Sequence, residues 1–83
     1  MKIEILGTGC KNCEQLYENA AAAIAQFEAS ADICLEKTGD VTVFARKGVL
    51  MTPGLLIDDA VVSMGKVLTA DQIRDKIRER LEK

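Results

Sequence analysis

The chain has 83 residues, 48% apolar and 29% charged, with 11 basic against 13 acidic side chains and no histidine. That length suits one domain over residues 1–83 and lies just above the roughly 70–80 residues below which a core needs staples. A net charge of −2, with two Phe, one Tyr and no Trp, argues against a nucleic-acid surface, which wants a basic face and stacking rings. No stretch reaches the 18 or so apolar residues of a membrane-spanning helix. "MKIEIL" at the start carries one charge and then an alternating run, unlike a secretory signal, so a cytoplasmic location is expected. Three cysteines are an odd number for a secreted disulfide framework. In a reducing compartment a Cys-x-x-Cys is catalytic or metal-binding rather than a structural crosslink.

"KIEIL", residues 2–6, alternates with Ile3 and Ile5 on one face and predicts a strand, Glu4 being on its half-exposed side. "GTG", residues 7–9, breaks it. From Cys10 to about Glu28 the apolar positions Cys13, Leu16, Tyr17, Ala20, Ala23, Ile24 and Phe27 follow one helical stripe. "ADICLEKT", residues 31–38, predicts a second strand centred on Ile33 and Leu35. Cys34 faces the other way there, and as a small hydrophobe it is expected to pack. In "VTVFARKG" a short helix is expected, capped by Asp40 and ended by Gly48, against the preference of the β-branched residues at its start. "GLLIDDAVVSMG", residues 54–65, predicts a hairpin around Asp58-Asp59. In the last segment Thr69 caps a helix with Gln72 as its capping-box partner, Leu68 staples to Ile73, and Ile73, Ile77 and Leu81 form the stripe. The order is β-α-β-α-β-β-α, whose first half implies parallel strands joined by a crossover helix.

The chemistry in this layout is "GTGCKNC". Cys10 falls at the junction of loop and helix, as N-cap or first-turn residue, and Cys13 one turn inside. Residues three apart on a helix have Cβ atoms about 5–6 Å apart. A disulfide needs about 3.5–4.5 Å, so a small adjustment closes or opens the ring. The positive end of the helix dipole and the charge of Lys11 both favour a Cys10 thiolate. A thiol of pKa about 8.5 is only about 3% ionised at pH 7, and one brought to about 7 is half ionised. Cys13, deeper on the buried side, would act second. The spacing by itself leaves three readings open: dithiol exchange, metal binding and a structural role.

The single proline stands in "MTPGLLI", before an apolar strand. With "GTGCKNC" after the first strand, "TPGLLID" opening the third, "VVSMG" closing the hairpin and the final amphipathic helix, the chain resembles the small thioredoxin-like redox-active disulfide proteins. These are cousins of thioredoxin and glutaredoxin, and the resemblance covers essentially the whole chain. It implies an α/β thioredoxin-like fold with a mixed four-stranded sheet and helices on both faces. It implies a protein dithiol–disulfide oxidoreductase in which Cys10 attacks and Cys13 resolves, with the Cys10–Cys13 disulfide as redox group and no bound cofactor or metal. Pro53 would follow a cis bond, Thr52 would offer its backbone to a bound peptide, and Gly65 would let substrate approach. Thioredoxin has a tryptophan before its first cysteine and Gly-Pro between the two. Here Gly9 precedes and Lys11-Asn12 intervene, so these two tune the potential in their own way. Glu4 falls at the offset of thioredoxin's buried acid, where it could carry a proton for Cys13.

The partners implied are disulfide-containing proteins or small disulfides, and a reductase as electron donor, a flavoprotein of the thioredoxin-reductase kind among the candidates. The protein is expected to be a monomer that binds neither nucleic acid nor membrane. The alternative is a Cu(I) carrier or chaperone using the same two cysteines, since thiolates suit Cu(I). Those domains end on a strand, and a methionine precedes their first cysteine. This chain ends on a capped helix and has Thr8-Gly9 there.

Overall fold

The computed structural model describes residues 1–9, 11–27 and 32–81. Its elements are β1 (Lys2–Leu6), α1 (Lys11–Ile24), β2 (Cys34–Thr38), α2 (Val41–Arg46), β3 (Gly54–Ile57), β4 (Ala60–Met64) and α3 (Ala70–Leu81). The sheet runs β2-β1-β3-β4. β1 and β2 are parallel, Lys2 opposite Cys34, while β1–β3 and β3–β4 are antiparallel. This is the mixed sheet of the thioredoxin-like fold.

Alternation along β1 sorts the core into two layers, because successive side chains of a strand leave on opposite faces. Ile3 and Ile5 join Leu55 and Ile57 under Leu16, Ala20 and Ala23 of α1 and Ile73 and Ile77 of α3. On the other face Leu6 and Leu56 pack with Phe44 and Val49 beneath α2. Helices therefore cover both faces. Each fully buried Ile or Leu contributes roughly 1.5–3 kcal/mol of transfer free energy. Central strands β1 and β3 collect most of these residues, which makes them the rigid floor of the fold. Tyr17, Ile24 and Phe27 flank the first layer, partly buried.

Local signals explain the short elements. Asp40 caps α2 by accepting from the Thr42 N–H at 2.9 Å, and this capping offsets the β-branched start of the helix. α2 ends in a Schellman turn: the Gly48 N–H donates to Ala45 O and the Val49 N–H to Phe44 O, with Gly48 at φ +81. Asp58 and Asp59 both have positive φ in a two-residue hairpin between the paired Ile57 and Ala60. Thr69 and Gln72 form the reciprocal capping box.

Five expectations change. Glu4 is only 5% exposed, because α2 covers the face that alternation alone leaves half open. Cys34 is exposed instead of packed: β2 is an edge strand, and the residue faces away from the helix that Leu35 packs under. That strand begins at Cys34, after Ile33. Leu81, the last residue of α3, is exposed. α1 stops at Ile24, short of the predicted end near Glu28, because the Gln26 and Phe27 N–H groups turn back to Ala23 O and Ile24 O and tighten the last turn; Glu28 itself lies outside the described residues.

Glu4 anchors a charge cluster. Its carboxylate meets Lys47 Nζ at 2.9 Å and Lys2 Nζ at 3.5 Å, and Asp59 meets Lys47 at 2.8 Å and Lys2 at 3.7 Å. Glu36, on β2, lies 3.7 Å from Lys2. The hydrogen bond from Lys47, then the charge of Lys2, holds the Asp59 carboxyl below 3.8, and the bonds to Asp59 and Glu4 raise Lys47 above 10.5. A depressed acid stabilises fully above its unfolded value and loses that contribution as pH falls through its folded one. A raised lysine does so below its unfolded value and loses it as pH rises through its folded one. Asp59→Asn should therefore lower the urea midpoint across neutral pH. The gap from wild type should close once the pH falls below 3.8 and through the depressed value. A gap constant down to the acid limit would contradict the assignment.

Candidate functional site

The chemistry-bearing residues gather at one end of the sheet, where β1 and β2 finish and β3 begins. After Leu6 the chain enters Gly7, whose N–H still bonds Thr38 O at 3.0 Å. Gly7 lies directly against Cys13. A Cβ built on Gly7 would clash with the Cys13 Sγ and stand 2.6 Å from its Cβ. Absence of a side chain at Gly7 is thus what lets the first turn of α1 lie on the strand end. Cys13 is fully buried, on the same stripe as Leu16 and Ala20. Lys11 and Asn12, the first two residues of α1, are exposed. Cys10, the residue before them in the sequence, lies outside the described residues.

Across the sheet, Leu6 pairs with Gly54. Pro53 is the residue just before Gly54, as Gly7 is the residue just after Leu6. The Thr52–Pro53 peptide bond is cis. Pro53 is buried and Thr52 exposed. The Gly65 N–H donates to Pro53 O at 2.9 Å, tying the end of β4 to the same loop. Cys13, seated on Gly7 just past Leu6, and Pro53, just before Gly54, therefore lie at the same end of the sheet, a rim that Thr52 and Gly65 share.

Sequence reasoning passed over three residues here. Gly7 reads as loop punctuation; its requirement is a close approach that only packing reveals. Leu50 and Met51 read as part of a loop, yet they stand 86% and 62% exposed beside Thr52, and Met51 packs its side chain on Gly65. The signal was two large apolar residues in a row ahead of the only proline.

Glu4 does not join this rim. It pairs with Leu56 and so faces α2, whereas Cys13 belongs to α1 on the other side of the sheet. Gly7 is three residues further along, roughly 10 Å of strand.

A family model described as thioredoxin domain matches residues 1–78. The chain is 38% identical over 80 residues to a thioredoxin of Methanocaldococcus jannaschii, covering 96% of this chain and 90% of that one. It is 35% identical over 74 residues to a thioredoxin of Methanothermobacter thermautotrophicus, covering 89% and 94%. Among the described residues no helix is long and apolar enough to cross a membrane. With its mixed sheet, its sulfur against the end of β1 and its cis proline ahead of β3, the chain belongs to the thioredoxin domain family and so to the thiol–disulfide oxidoreductases.

Proposed function

We propose that the protein reduces disulfides of partner polypeptides through Cys10 and Cys13. The Cys10 thiolate attacks one sulfur of the target disulfide, that S–S bond breaks, a mixed disulfide forms and the departing sulfur takes up a proton. The Cys13 thiolate then attacks the Cys10 sulfur. The mixed bond breaks, the Cys10–Cys13 bond forms and the second target thiol leaves. Two electrons and two protons pass to the target. Thr52 lends its backbone to the bound chain, Pro53 and Gly65 shape the rim, and Lys11 and Asn12 tune the potential. The dithiol is restored by a reductase, in a reducing compartment such as the cytoplasm, and no bound cofactor or metal takes part.

The observation that supports this reading is the fully buried Cys13 against Gly7, at the end of the sheet where the cis Pro53 leads into β3. A resolving sulfur belongs there, one helical turn behind an attacking one and shielded from outside reagents. Apolar Leu50 and Met51 beside Thr52 favour a polypeptide over a small polar disulfide.

Titrating the thiols in defined redox buffers, with and without Cu(I), tests it. A reversible two-electron couple between roughly −300 and −150 mV, with reduction of insulin disulfides, is the expected result. Tight Cu(I) binding without disulfide reduction would replace this reading with that of a copper carrier.

A further inference from the structure

Lys47 stands away from the rim, yet the segment that presents Thr52 and Pro53 starts from it. It occupies the C-cap of α2, where the Schellman turn closes. Val49 then folds inward beside Leu6, Phe44 and Leu56. Its methyl groups press on Gly54, where a Cβ would come within 2.8 and 3.0 Å of them. Residues 50–53 are therefore a short tip whose two feet, Val49 and Gly54, touch each other. One foot is fastened to the sheet by apolar packing and, two residues earlier, by the Lys47 ammonium. That ammonium bonds Glu4 at 2.9 Å and Asp59 at 2.8 Å. Glu4 sits on central strand β1, nearly sealed from solvent, so the fastening is to the stiffest part of the molecule.

We infer that Lys47 is a positioning residue for the substrate loop, its bridge to Glu4 and Asp59 fixing the foot from which Thr52 and Pro53 meet a bound polypeptide. The inference deepens the proposed redox reading and rests on it for the identity of the bound chain. Removing the lysine would not leave Glu4 without a cation, because Lys2 stands 3.5 Å from the same oxygen. What is lost is the ionic link from the end of α2 to β1, while Phe44 and Val49 stay packed on Leu6 and Leu56, so the consequence is local. The same geometry places Glu4 in this clamp, between Lys47 and Lys2.

Amide hydrogen exchange on the full chain, comparing wild type, Lys47→Met and Lys47→Arg, reads the loop directly. The Val49 and Gly65 N–H groups, bonded to Phe44 O and Pro53 O, report on its foot and its far side. Both should exchange at least about tenfold faster in Lys47→Met, with amides in α1 and α3 unchanged, and Lys47→Arg should restore them. In parallel, the ratio of kcat/KM for insulin to that for 5,5′-dithiobis(2-nitrobenzoate) should fall about tenfold in Lys47→Met, through KM for insulin. Unchanged exchange at those two amides, or equal acceleration in α1 and α3, overturns the proposal. So does a Glu4→Gln variant that shifts the pH profile of the small-disulfide reaction while exchange stays as in wild type. Wild-type protein that reduces neither disulfide would end the redox reading alone, and exchange would still decide the role of Lys47.

Discussion

Cys10→Ser should abolish disulfide reduction, and Cys13→Ser should instead freeze the reaction halfway. The two outcomes differ because the roles differ. A serine hydroxyl is not ionised near neutrality, so without the Cys10 thiolate no mixed disulfide forms, and turnover should fall at least about a hundredfold. Without Cys13 the first attack still proceeds. The mixed bond then has no neighbour to displace it, since Cys34 is at the far end of β2, paired with Lys2. Non-reducing electrophoresis of Cys13→Ser incubated with a polypeptide disulfide should show a covalent adduct that dithiothreitol releases. An adduct with Cys10→Ser and none with Cys13→Ser would reverse the order of attack.

Much of this was legible because the signals were local. The capping box at Thr69 and Gln72, the Asp40 cap, the Gly48 stop and the Asp58-Asp59 hairpin each depend on a few consecutive residues, and each forms as its residue types require. The order of elements and the mixed sheet followed from them. The differences come from packing between distant segments. Nothing in "KIEIL" says that a helix forty residues later will cover its second face, so Glu4 read as half exposed when it is nearly buried and clamped by Lys47. Nothing in "ADICLEKT" says that its strand will lie at the edge of the sheet, and so Cys34 read as packed. The candidate site divides in the same way. Cys10 and Cys13 are marked by residue type and spacing, and Thr52 and Pro53 by the family resemblance. Gly7 is marked only by what it touches.

That contact carries the sharpest structural prediction. Gly7→Ala adds a single methyl group, and the space for it is already occupied by Cys13. Rotating the cysteine about its own side-chain bond moves the sulfur but not the Cβ, which would still stand 2.6 Å from the new methyl. The first turn of α1 must therefore back away from β1, and the sulfur moves with it. Overpacking of this kind costs about 1–3 kcal/mol of stability. A misplacement of even ~1 Å in reacting atoms costs on the order of a hundredfold in rate. Gly7→Ala should thus remain folded with a lowered urea midpoint, and lose roughly ten- to a hundredfold in kcat/KM for insulin. Gly39→Ala is the matched control. Its added methyl would stand 3.4 Å from Gly7 O, a contact that a small shift relieves, so its activity should stay within about twofold of wild type. If Gly7→Ala is as active as Gly39→Ala, the close seat of Cys13 on the end of β1 has no part in its reaction.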